Sequence, residues 1–155
     1  PCRGLCRTAG GAEVGRMTEP LLDPGDDGDA AVARRLDGEP IIWLTTVSAD
    51  HRPHPVPVWF HWADPVVTIF SRPTTAKVRR LRGNGAVGLA LDSAAGGTDI
   101  VIAEGDAELR ALDDVAPVLG AFERKYAPML GGQPFDGWLG TFSQPVVVTV
   151  RRLVA

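Results

Sequence analysis

The chain has 155 residues, 45% of them hydrophobic, and a formal net charge of −3. This suits one domain with a real core and excludes a disordered chain. The mild acidity gives no overall attraction to nucleic acid or an anionic membrane, so an anion site has to be local.

The two cysteines, Cys2 and Cys6, both lie near the start, so the folded body reads as cysteine-free and cytoplasmic. No apolar run is long enough to cross a membrane as a helix. Residues 1–16 are rich in Gly, Arg and Ala without periodicity, and Met17 opens a stretch that reads like a natural beginning. The expectation is a disordered upstream extension over 1–16 and a single domain over 17–155.

In chain order, Asp29 is placed to cap a short helix through Ala33, Arg34 and Leu36 that ends near Gly38. The β-branched and aromatic run 41–47 predicts a strand, Ala49 to Arg52 a turn, and 53–62 a second strand completing a hairpin. Asp64-Pro65 turns the chain into a third strand over 66–70. Thr74 or Thr75 then caps a helix that turns Val78 and Leu81 inward, and Gly83-Asn84-Gly85 stops it. Strands follow over 86–91 and 99–109, separated by a small-residue loop. Asp113 or Asp114 opens a longer helix through Val118, Leu119, Phe122 and Tyr126. Residues 131–140 form a Gly- and aromatic-rich loop with room for a turn of helix, and 145–154 is the last strand. Six strands with a short helix between the third and fourth predict a mainly β fold with α elements (α+β), a closed or split antiparallel barrel.

Pro53, Pro55 and Pro57 occupy alternate positions, so one side of their strand loses its N–H donors and keeps its carbonyls. That strand is an edge on its proline side. Two readings stay open there: protection against edge-to-edge aggregation, or a flat ligand beside the interrupted ladder, with Trp59, His54 and His61 facing it. The segment Ser71-Arg72-Pro73-Thr74-Thr75-Ala76-Lys77 places a cation where a helix start normally carries acids. It reads either as a solvated basic surface or as a phosphate site using backbone N–H groups, Thr75 and Lys77. No Walker loop, GxGxxG or nucleophile elbow is present. His51, His54 and His61 lack acidic or Cys partners at ligand spacing, so no metal site is expected. Asp113-Asp114 reads as a helix start, and Trp43, Trp62 and Trp138 as core or interface residues.

The segments IIWLTTVSADHRPHPVPVWFHW, VTIFSRPTTAKVRRLRGNGAVGLALD and DIVIAEGDAEL, with the terminal PVVVTVRRLVA, resemble the pyridoxamine-5′-phosphate-oxidase-like superfamily. They are most similar to its branch that uses the deazaflavin coenzyme F420, found largely in actinobacteria. The resemblance implies a six-stranded split β-barrel of the FMN-binding, flavin-reductase type, dimeric, with two cofactor sites at the subunit interface. It implies that Lys77 binds the cofactor phosphate with Ser71, Thr75 and Arg79 around it, and that the backbone of Val56, Pro57 and Val58 lies along the tricyclic ring. The activity implied is an oxidoreductase moving a hydride between F420 and a small-molecule acceptor, with His54 and Tyr126 as candidate proton donors. FMN as the cofactor, or a non-catalytic flavin- or haem-binding module, are the alternatives. Two positions depart from the pattern: His51 stands where a hairpin glycine is common, and Gly85 where a proline usually follows the helix asparagine.

Overall fold

The structure, a computed structural model, describes residues 6–8, 19–93 and 95–155. Its strands are β1 (Cys6–Thr8), β2 (Ile42–Val47), β3 (Pro53–Val58), β4 (His61–Ala63), β5 (Val66–Ser71), β6 (Ala86–Ala90), β7 (Ile102–Leu109) and β8 (Gln144–Val154). Its α-helices are α1 (Asp27–Gly38), α2 (Ala76–Gly83), α3 (Ala116–Tyr126) and α4 (Phe135–Thr141). Seven strands form one sheet in the order β3-β2-β6-β7-β8-β5-β4, and β1 pairs with β8 off this path. All pairings are antiparallel. The protein is therefore mainly antiparallel β with helices, a curled sheet consistent with a split barrel.

The count of six strands is corrected in two places. The strand predicted over 53–62 is two, broken at Trp59 and Phe60, because the backbone of Phe60 bonds to a side chain instead of a ladder. Phe60 N–H donates to Tyr126 Oη at 2.8 Å, and that hydroxyl lies 2.9 Å from the carbonyl oxygens of Phe60 and Pro40. The short β1 is the second difference; the remainder of residues 1–16 lies outside the described residues. The strand read from Asp99 begins at Ile102. The cap of α1 is also three residues earlier than expected. Asp26 accepts the N–H groups of Gly28 and Asp29, while Asp29 is buried and its carboxylate takes the N–H of Asp23.

Among the described residues, two hydrophobic clusters form the core. One fills the curl of the sheet around Leu36, Leu44, Phe60, Ile69, Val148 and Val150. Burying each large side chain contributes about 1.5–3 kcal/mol. The segment before α1 is pinned over this core by Asp64, whose two carboxylate oxygens each accept an N–H, from Leu21 and from Leu22, at 2.8 Å. The other cluster is aromatic. Phe70, Phe122, Tyr126, Phe135 and Trp138 pack beneath α3 and α4. At β7, Gly105 lies so close to β8 that a Cβ there would sit 2.4 Å from the Thr149 carbonyl oxygen. A register shift occurs at the same place.

Candidate functional site

β3 ends the sheet path, and its partner β2 pairs Trp43 with Pro57, Thr45 with Pro55 and Val47 with Pro53. Proline has no N–H, so the ladder bonds to β2 are donated by His54, Val56 and Val58. The backbone of Pro53, Pro55 and Pro57 faces away from β2 and offers carbonyl oxygens only. The proline side is thus the open edge of the sheet among the described residues, as the alternation required.

Helix α2 begins beside this edge. Its N-cap is Thr75, yet the Thr75 side chain makes no capping bond. Its hydroxyl instead bonds to Ser71 Oγ at 3.1 Å and donates to the Arg72 carbonyl at 3.1 Å. No acidic residue stands in the first turn. Among the described residues, the first N–H groups of the helix are therefore left without a side-chain acceptor at its positive end. Val78 and Leu81 are buried and fix the helix on the sheet, as their spacing predicted.

Lys77 is half-buried in that first turn, and burial holds its ammonium below the usual lysine range. Among the described residues it has no ion-pair or hydrogen-bond partner, and neither do the side chains of Arg79, Arg80 and Arg82. An unpaired, partly desolvated cation at an uncapped helix start is unfavourable by itself, and an anion there would relieve it.

Two cavities flank α2. One, of about 340 Å³, is lined by His54, Pro55, Val56, Thr75, Lys77 and Arg80. The other, of about 500 Å³, lies between the β2–β3 turn and the helix flank and includes Ser48, His51, Arg79, Arg80 and Asn84. Arg80 lines both. The structure thus brings Val56, Thr75 and Lys77 together at one cavity, with Ser71 bonded behind Thr75, and sets Arg79 on the neighbouring one. Pro57 lies exposed on the same edge, while the Val58 side chain is buried in the core.

Trp59 and Tyr126 are placed elsewhere. Their rings stack at 4.4 Å with planes 5° apart, and Trp59 also stacks on Trp138 at 5.4 Å. Tyr126 is fully buried, and burial pushes its hydroxyl up to about 12. That hydroxyl is committed to backbone groups, so the observed role of Tyr126 is to join α3 to the β3–β4 break. Trp62 and Trp138 are core residues, and Trp43 donates its indole N–H to Asp92 at 2.8 Å.

His61 is half-buried, its Nδ1 is enclosed without a partner among the described residues, and burial together with nearby Lys125 lowers its pKa. Lys125 donates to the Leu36 carbonyl at 3.2 Å and lies 4.0 Å from the centre of the Phe60 ring. Burial brings its pKa down to about 8. Sequence reasoning named His61 beside the proline strand but not Lys125, whose partners are far away in the chain.

The two departures from the family pattern have local causes. His51 has φ 61°, the left-handed conformation that a glycine takes without strain. At Gly85 a Cβ would sit 2.7 Å from the Ala107 carbonyl oxygen, so this position lies flush on β7. Among the described residues no three His, Cys, Asp or Glu side chains cluster as a metal-ligand set, and no helix is long and apolar enough to cross a membrane.

The fold is a curled antiparallel β-sheet whose acceptor-only edge lies beside a cationic helix start. The chain belongs to the pyridoxamine 5′-phosphate oxidase family, whose sequence profile matches residues 29–140. The comparison with curated proteins finds no match. Solved structures share the fold. A FAD-binding protein from Mesorhizobium loti is 17% identical, covering 81% of this chain and 91% of that one, with TM-score 0.59. The heme storage protein HutZ from Vibrio cholerae is 13% identical, covering 79% and 87%, with TM-score 0.60. A conserved hypothetical protein from Mycobacterium tuberculosis is 22% identical, covering 81% and 79%, with TM-score 0.59.

Proposed function

We propose that this protein is an oxidoreductase that binds coenzyme F420 through its phosphate at the start of α2 and moves a hydride between it and a small-molecule acceptor. The observation that carries the reading is Lys77: half-buried, unpaired, in the first turn of an uncapped helix, beside the open edge of β3. The residues present fit the group. Lys77, Thr75 and the first N–H groups of α2 would hold the phosphate, with Ser71 orienting Thr75 and Arg79 adding positive potential. The carbonyls of Pro55 and Pro57 would accept from N–H donors on the edge of the tricyclic ring. When bound, the deazaflavin supplies the hydride chemistry, and the protein's part is to orient it and exclude water.

The reading includes a cytoplasmic homodimer. β3 and its neighbours leave Trp43, Pro55 and Pro57 on an outward face that a second copy would cover, setting the cofactor between subunits. FMN on the same site is the alternative cofactor. A second reading, a module that holds a flavin or haem without turnover, is supported by the flavin-binding and heme-storage proteins that share the fold.

Separate fluorescence-quenching titrations with F420 and FMN test the assignment, followed by turnover against a panel of quinone and enone acceptors and by light scattering. Tighter binding of F420, with turnover and a dimer mass, is expected. Tighter FMN binding with turnover moves the protein to the flavin branch. Tight binding without turnover to any acceptor favours the module, and a monomer mass removes the interface site.

A further inference from the structure

His54 lines the Lys77 cavity, and its ring is tied to the β2–β3 turn. His54 Nε2 lies 3.2 Å from Ser48 Oγ. The same Oγ lies 2.5 Å from Asp50 Oδ1 and 3.1 Å from the Arg52 carbonyl oxygen, and receives the Arg52 N–H at 3.3 Å. Asp50 is further held by Arg52 Nε at 3.0 Å. The Ser48 hydroxyl beside Asp50 holds its carboxyl below the usual carboxylate range, so Asp50 is an anion and an acceptor at neutral pH.

Proton counting then decides the histidine. A serine hydroxyl has one proton and two lone pairs. The proton goes to the nearest partner and the one that carries a charge, the Asp50 carboxylate, because a charge-assisted bond is about twice as strong as a neutral one. Ser48 has none left for His54, and its remaining lone pair can only accept. Nε2 of His54 must therefore carry a hydrogen. In the neutral ring the lone pair is then on Nδ1, which has no partner among the described residues.

We propose that Ser48 and Asp50 are positioning residues that lock His54 as the Nε2–H tautomer and leave Nδ1 to accept a hydrogen bond from a ligand hydroxyl next to the phosphate. This rests on the phosphate reading above and narrows it. A phosphate oxygen has no proton for Nδ1, so the matching ligand is a polyol phosphate. The polyol chain that F420 and FMN both carry beside the phosphate has that chemistry. His54 would thus select a hydroxyl-bearing chain, while Lys77 selects the charge.

The lock is tested first without ligand. Nitrogen-15 NMR of the histidine rings at about pH 8, where an ordinary imidazole is neutral, reads the tautomer directly. Wild type is expected to show His54 as Nε2–H alone, and Ser48→Ala and Asp50→Asn to admit the minor Nδ1–H form that a free imidazole also populates. An Nδ1–H ring in wild type, or no change in either variant, overturns the lock. Ligand reading is tested by titrating F420 and FMN. Removing one neutral hydrogen bond predicts roughly three- to tenfold weaker binding in His54→Ala. His54→Asn, whose amide oxygen takes the place of Nδ1, is expected to recover part of the loss. A cofactor analogue lacking the chain hydroxyls is expected to bind wild type and His54→Ala equally. If Lys77→Ala weakens binding and His54→Ala does not, this inference fails and the phosphate site stands. If Lys77→Ala also has no effect, the phosphate reading itself fails.

Discussion

Replacing Tyr126 with Phe removes one oxygen and keeps the ring. The stack on Trp59 at 4.4 Å and the contact with Phe122 at 4.6 Å therefore remain. What is lost is the hydroxyl that accepts the Phe60 N–H at 2.8 Å and donates its single proton to the Pro40 or Phe60 carbonyl. Phe60 is 0% exposed, so its N–H cannot turn to water. An orphaned buried donor costs about 1–3 kcal/mol, and the lost donation adds about 1. The expected destabilisation is about 2–4 kcal/mol, or roughly 4–16 °C in Tm for a chain of this size. Thermal and urea unfolding with unchanged m-value would measure it, alongside cofactor titration. Affinity is expected to stay within about twofold, because the hydroxyl is spent on backbone. A Tm loss under about 1 °C would refute the reasoning, and a large loss of affinity at preserved Tm would return Tyr126 to the site.

The pH profile of stability follows from the same region. Lys125 titrates at about 8 in the folded state, below its unfolded value, so between the two the unfolded state binds more protons and stability rises with pH. After discounting for partial exposure the rise is on the order of 1 kcal/mol, and Lys125→Met is expected to flatten it. Tyr126 has the opposite sign. Its folded value is about 12 against an ordinary 10.0, so stability falls again above pH 10.0. Urea melts across this range check both arms, and a flat wild-type profile would contradict them. His51→Gly relieves a left-handed conformation costing roughly 1–2 kcal/mol but gives back about 0.5–1 in chain entropy. A Tm unchanged or up by as much as about 6 °C is expected, and a fall would show that the His51 side chain holds the turn. A chain begun at Met17 loses β1 and its pairing with β8, so a lower Tm is expected with cofactor affinity kept, and a loss of affinity would show that the first sixteen residues reach the site.

Local signals made much of the fold legible. β-branched runs marked β2, β5 and β8, and the alternating prolines marked the open edge of β3. Thr75, Val78, Leu81 and Gly83-Asn84-Gly85 marked both ends and the buried face of α2. The cation at its start was visible because Lys77 breaks the usual acidic preference. What stayed hidden depends on partners distant in sequence. The break at Phe60 needs Tyr126, sixty-six residues on, and the clamp over the core needs Asp64 to meet Leu21 and Leu22. The tie between His54 and Ser48 spans only six residues, yet it depends on hairpin register, which periodicity alone does not fix. Trp59 read as a site residue because it follows the proline strand. The chain turns immediately after it, and the ring goes to the aromatic cluster instead.

The central claim is that an anion of the cofactor sits on Lys77. The direct test is the affinity of Lys77→Ala for F420 at low ionic strength, by fluorescence quenching. Loss of one charge-assisted hydrogen bond of about 1.5–3 kcal/mol predicts a tenfold to hundredfold weaker complex, with a shallower dependence on salt than wild type. The unliganded variant is expected to be as stable as wild type or more so, because a partly buried, unpaired cation has left a positive helix end. Unchanged affinity would contradict the account and return α2 to a solvated basic surface.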